Sequence, residues 1–132
     1  MNEVISASLP YQKAPDGRIF PIIALKIQHQ EETIEISALI DSGATTSIFR
    51  PEVAKKLGLK IENGKEIALH GVGGWIKGYL HKLDVGIAGK KFKCPIIFSH
   101  EYTVSLNLLG REGFFKKFVV TFDEKRKEVR LE

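Results

Sequence analysis

Ile36-Ser37-Ala38-Leu39-Ile40 is an apolar run that ends on Asp41-Ser42-Gly43-Ala44. An acid placed directly after an apolar strand has its carboxylate in a partly desolvated turn. Gly43 lets the backbone fold tightly and come close to a ligand or to a second copy of the same loop. Ser42 supplies a hydroxyl that can bond across to that copy. At average composition, Asp-Ser/Thr-Gly-Ala arises by chance in roughly one chain of this size in a couple of hundred, so the neighbouring segments must carry the reading. The other aspartate turns, Asp16-Gly17 and Asp84-Val85-Gly86, lack the pattern.

Outward from this stretch, most of the chain reads as strand. Ile19 to Ile27 is rich in isoleucine, phenylalanine and leucine, and Glu32 to Ile36 alternates polar and apolar residues. A tight connection around His29-Gln30-Glu31 makes these two a hairpin. Ile67 to Leu69, Trp75 to Ile87 and Lys91 to Ser99 follow as strands. Phe118 to Phe122 and Glu128 to Leu131 form a last hairpin joined by the charged Asp123-Glu124-Lys125-Arg126-Lys127. Two short helices are expected. Pro51 opens one that Gly58 closes, with proline in the first turn and glycine past the last. The other runs from Arg111 to Lys117, after Gly110.

A faint repeat is visible. A hairpin and an apolar strand lead to Asp41 and then to the helix at Pro51. A second hairpin, Leu83 to Phe98, leads to Leu108-Leu109-Gly110 and then to the helix at Arg111. The offset is about sixty residues, a duplication within one domain and not a solenoid. The expectation is an all-β chain with two short helices, closed by pseudo-symmetry. Residues 1–132 form a single domain in this reading, with 1–18 a loose N-terminal segment.

Bulk properties narrow the function classes. The chain has 132 residues, enough for one domain with a real core, and 43% of them are apolar. No apolar stretch approaches the roughly 20 residues of a membrane helix, so no membrane partner is expected. The start shows no basic region followed by an apolar core, and Cys94 is the only cysteine. Both point to a reducing, cytoplasmic setting. The net charge of +4 is spread over scattered basic pairs without interleaved aromatics, so no nucleic-acid partner is expected. His29, His70, His81 and His100 lack metal-ligand spacing, and no metal or cofactor is expected. Cys94, in an apolar strand before Pro95, reads as a small buried hydrophobe. Gly71-Val72-Gly73 is followed by Ile76 where a dinucleotide fingerprint needs its third glycine, and no phosphate-loop Gly-Lys-Ser/Thr exists.

Three segments carry a family resemblance: Ala38 to Thr45 around Asp41, Gly71-Val72-Gly73-Gly74-Trp75-Ile76-Lys77, and Leu106-Asn107-Leu108-Leu109-Gly110-Arg111-Glu112. In this order and spacing they resemble the retropepsins, the retroviral and retroviral-like aspartic proteases, over roughly residues 20 to 132. The resemblance implies a closed, barrel-like acid-protease fold with one lobe per chain. It makes Asp41 the catalytic acid in an active-site loop with Ser42, Gly43 and Ala44. Gly71, Val72, Gly73, Gly74, Trp75 and Ile76 become a flap that closes over substrate. Leu108, Leu109, Gly110 and Arg111 become scaffold beside the aspartate strand. Thr45 departs from retroviral members, which usually carry an acid there that pairs with the arginine after the apolar-apolar-Gly segment. The terminal hairpin, in place of a single last strand, is closer to cellular and microbial members.

The implied activity is endopeptidase cleavage beside hydrophobic residues. That chemistry needs two carboxylates sharing one proton, since like charges about 3 Å apart cannot both ionise. A chain with one such motif implies a homodimer with Asp41 supplied by each copy. The substrate would be an extended peptide or protein, with Ala44, Val72, Ile76 and Leu108 as candidate pocket walls. A second reading is a catalytically silent retropepsin-like module that dimerises or binds peptide. A third is a β-barrel that binds a small molecule or nucleic acid through its positive charge.

Overall fold

The computed structural model describes residues 6–71 and 73–132. Twelve strands and one α-helix are described: β1 Ala7–Pro10, β2 Gln12–Lys13, β3 Ile19–Phe20, β4 Ile22–His29, β5 Glu32–Ile40, β6 Ser47–Phe49, α1 Pro51–Leu57, β7 Lys65–Gly71, β8 Gly74–Ile87, β9 Lys90–Phe98, β10 Asn107–Leu109, β11 Val120–Asp123 and β12 Glu128–Leu131. Short 3-10 turns lie at Ile61–Asn63 and Phe115–Lys117.

The apolar alternation of β4 and β5 puts them in one antiparallel hairpin. His29 pairs with Glu32 across a two-residue turn, and Gln30 takes φ 54° there. The main sheet runs β4-β5-β10-β6-β9-β8-β7, and β4 also pairs with β8 from Lys26↔Gly86 to Gln28↔Asp84, which closes six strands into a ring. Closure leaves those strands no free edge. The faint sequence repeat becomes an axis in this register. β10 lies parallel to β5, β6 lies parallel to β9, and β6 meets β10 antiparallel at Ile48↔Leu108. Exchanging the β4–β5–β6 half with the β8–β9–β10 half reproduces the same strand order.

The ring wraps one apolar core. Phe49, Phe98 and Phe114 are fully buried, with Ile23, Ile27, Ile96 and Leu109 among them. Phe49 and Phe98, register partners across β6 and β9, meet edge to face with ring centroids 6.3 Å apart. Helix α1 follows the sequence signals closely. Pro51 opens it, Gly58 ends it with a left-handed cap, and Val53, Ala54 and Leu57 face the core.

Two expectations need correction. No helix spans Arg111 to Lys117; only the 3-10 turn at Phe115–Lys117 forms. Gly113 takes φ 87°, which breaks a right-handed run. A Cβ at that position would also sit 2.6 Å from Pro95 Cδ and 2.9 Å from Cys94 Sγ. The chain is therefore pressed against β9 instead of coiling away from it. Within the expected loose N-terminal segment, residues 7–10 and 12–13 are in strands. β1 pairs with β12 and β2 with β3, and Tyr11 and Ala14 beside them are buried. The terminal hairpin is present but starts at Val120; Phe118 instead turns toward Phe92 and Phe114. With β1 it makes a separate sheet, β1-β12-β11.

Candidate active site

Asp41 leaves the end of β5 held on both sides by backbone. Its N–H donates to the Leu109 carbonyl at 3.0 Å, and its own carbonyl accepts the Ala44 N–H at 3.2 Å. The carboxylate Oδ1 accepts the Gly43 N–H at 2.9 Å, which fixes the side-chain rotamer. A Cβ on Gly43 would stand 3.3 Å from that same oxygen, so glycine leaves the acid uncrowded. Asp41 and Ala44 are half-buried, while Ser42 and Gly43 are exposed. The loop is thus a rigid platform open on one side.

The third segment is packed into the first. Leu109, fully buried, pairs with Ile40, and Leu108 pairs with Leu39. The Gly110 N–H donates to the buried Ser47 hydroxyl at 3.0 Å. The Arg111 and Glu112 N–H groups donate to the Ala44 and Thr45 carbonyls, each at 2.8 Å. The arginine contact expected to be lost at Thr45 persists in neutral form: Arg111 Nη2 donates to Thr45 Oγ1 at 3.3 Å. Threonine at this position gives the guanidinium a hydroxyl acceptor in place of a carboxylate.

Two neighbours were given no role by the sequence reading. Tyr102 donates its hydroxyl to the Leu106 carbonyl at 2.6 Å. Burial pushes this phenol up to about 12; the Arg50 guanidinium opposes that rise and the Asp41 carboxylate adds to it, which places Tyr102 in the field of the acid. Asn107, 7% exposed, accepts the Arg50 N–H at 2.8 Å and donates to the Ser37 carbonyl at 2.9 Å. It ties the chain entering α1 to the strand that carries Asp41. Asn107→Ala leaves both backbone groups unpaired and is expected to lower stability by about 1–3 kcal/mol, measured by denaturant unfolding. The signal that could have found these residues is the repeat. Phe98 ends β9 against Phe49 as Ile40 ends β5 against Leu109, so Ser99 is the counterpart of Asp41 and Tyr102 follows in the counterpart loop.

The glycine-rich segment forms the tip of the β7–β8 hairpin. Gly71 pairs with Gly74, and Gly74 takes φ 105°. Val72 lies outside the described residues. Trp75 is 69% exposed and packs at a tilt against His70 across the strands, centroids 4.8 Å apart. That leaves a large aromatic at the tip with most of its surface uncovered. Ile76, half-buried, lines a cleft of about 400 Å³ with Ile67, Ala68, Lys77 and Glu101. The structure therefore brings Asp41–Ala44 and Leu108–Arg111 together. The described bonds of residues 71 and 73–76 stay within their own hairpin.

A family model described as aspartyl protease matches residues 25–112. The chain belongs to the aspartyl protease family. The fold agrees. The structure superposes on a retropepsin-like aspartic protease from Rickettsia conorii with a TM-score of 0.71 at 22% identity, covering 96% of this chain and 90% of that one. It also superposes on EIAV protease complexed with the inhibitor HBY-793, with a TM-score of 0.55 at 20% identity, covering 70% of this chain and 82% of that one. No curated protein matches it by sequence. This aspartyl protease is thus a hydrolase of the endopeptidase type on a retropepsin fold.

Cys94 is fully buried, and burial pushes its thiol up to about 11, far from a nucleophile's range. Among the described residues no group of three or more histidine, cysteine or acidic side chains could hold a metal ion. No described helix is long and apolar enough to cross a membrane.

Proposed function

We propose that the protein works as a homodimer in which Asp41 of each copy forms one catalytic dyad, cutting extended peptides beside hydrophobic residues. One observation carries this reading. The pseudo-two-fold pairs the Asp41 position with Ser99, whose hydroxyl is committed to the Lys77 carbonyl at 2.5 Å. The second half of the chain therefore offers no acid opposite Asp41, and half a dyad is what one copy holds.

In the assembled site the two carboxylates share one proton and hold one water. The ionised acid takes a proton from the water as it attacks the scissile carbonyl, and the protonated acid donates to the carbonyl oxygen. The resulting diol collapses with proton transfer to the leaving amine. No covalent enzyme intermediate forms. The dyad titrates as a pair, which gives a bell-shaped rate profile in pH. The substrate lies as an added strand between the Asp41 loops and the flaps of residues 71–76. Ala44, Ile76 and Leu108, all half-buried, would be part of its apolar pockets. Support for the dimer also comes from β11. It is an edge of the terminal sheet, with Val119 66% and Phe122 40% exposed at or beside it.

The test couples size to activity. Sedimentation across protein concentrations should show a monomer–dimer equilibrium, and specific cleavage of a mixed peptide library at about pH 4–7 should track the dimer fraction. Cleavage by a strictly monomeric species would overturn the shared site. A dimer that binds peptides but never cuts them would favour the silent peptide-binding module.

A further inference from the structure

Before residue 79, β8 lacks a neighbour on one side. The β8–β9 ladder ends at Tyr79↔Phe98, while β8 continues toward the tip paired only with β7. At Lys77 the unladdered edge would leave a backbone N–H and carbonyl open. Both are taken by side chains from the segment just after β9. Glu101 Oε2 accepts the Lys77 N–H at 2.6 Å, and Ser99 donates its hydroxyl to the Lys77 carbonyl at 2.5 Å. The Glu101 N–H in turn donates to the Ser99 hydroxyl at 3.1 Å, so the two clasping groups brace each other. Ser99 is fully buried, which makes its end of the clasp a fixed point. Lys77 also reaches Glu66 across the hairpin, Nζ to Oε1 at 3.6 Å.

We propose that Glu101 is a positioning residue for the flap, its carboxylate clasping the Lys77 backbone so that the β7–β8 hairpin is held at working height over the cleft. This inference rests on the proteolytic reading for its kinetic consequence, but not for the clasp itself. The bond lies two residues from Trp75, and Glu101 lines a pocket against the hairpin itself with Ile67, Ala68, Trp75 and Ile76. A carboxylate accepts a backbone N–H more strongly than a neutral group does. A side-chain bond at the hairpin base, unlike a further strand pair, can yield without unzipping the ring. It restrains a hinge while leaving the tip free to open.

The experiment compares Glu101→Ala and Glu101→Gln with the wild type. The amide oxygen of glutamine can still accept the Lys77 N–H; alanine has no acceptor. For an extended peptide, Glu101→Ala should raise KM about three- to tenfold with kcat within about twofold, and Glu101→Gln should restore most of the loss. Hydrogen exchange at the Lys77 amide should speed up about tenfold in Glu101→Ala and stay near wild type in Glu101→Gln. Glutamine behaving like alanine, an unchanged KM, or a loss confined to kcat would each overturn the proposal. The exchange measurement decides the clasp even where the wild type fails to cut, an outcome that would sink the proteolytic reading and not this one. Unchanged exchange at Lys77 in Glu101→Ala overturns the clasp outright.

Discussion

Asp41→Asn is expected to lower kcat/KM for an extended peptide by about 10⁴-fold, close to 5 kcal/mol of transition-state stabilisation. Asparagine can neither take the proton of the attacking water nor hold the shared proton of the dyad. The fold should not notice. The asparagine Oδ1 still accepts the Gly43 N–H that Oδ1 of Asp41 accepts at 2.9 Å, so unfolding free energy should stay within about 0.5 kcal/mol. That separation makes the variant informative. A shared site adds a sharper outcome: equal amounts of wild type and variant, allowed to exchange subunits, should show about a quarter of the activity of wild type at the same total protein, because mixed dimers carry one acid each. Retention of half would mean that each chain works alone.

Gly110→Val is expected to cost about 3 kcal/mol or more and to abolish cleavage with it. A Cβ at this position would fall 2.3 Å from the Thr46 carbonyl oxygen and 2.8 Å from that of Ala44. Both obstacles are backbone, which cannot swing aside as a side-chain tip would. The backbone that would have to retreat is the loop after Asp41, which also accepts the Arg111 and Glu112 N–H groups through Ala44 and Thr45. Stability and activity should therefore fall together, unlike at Asp41. Gly86→Ala is the matched control. Its Cβ would come no closer than 3.9 Å to Lys26 Cβ, and unfolding should shift by no more than about 0.5 kcal/mol. A Gly110→Val protein as stable as the wild type would show that the loop can relax where the geometry says it cannot.

What the sequence revealed was local or periodic. Pro51 and Gly58 bracket α1 because caps are chemical signals read within a few residues. The β4–β5 hairpin announced itself by alternation, and the Asp41 loop by a composition that few other structures use. The repeat hinted at the axis that the β5–β10 and β6–β9 pairings make explicit. Long-range partnerships were hidden. Gly113 is compatible with a helix by local signals alone, and its positive φ follows from β9 lying against it. Nothing near Ala7 indicates that β12 will pair with it. Asn107 and Glu101 are ordinary polar residues in sequence and acquire roles only through partners far along the chain, Ser37 and Lys77. Thr45 was legible as a lost charge, but not as a retained contact with Arg111.

The terminal sheet has a regulatory consequence. Because β1, β12 and β11 are already joined at home, two finished subunits can meet without swapping strands or melting either end. Under the proposed assembly, turning the enzyme on requires encounter and nothing slower. While copies are scarce, doubling the gene product yields about four times as many working pairs. A cell could then tune such an activity through dosage alone.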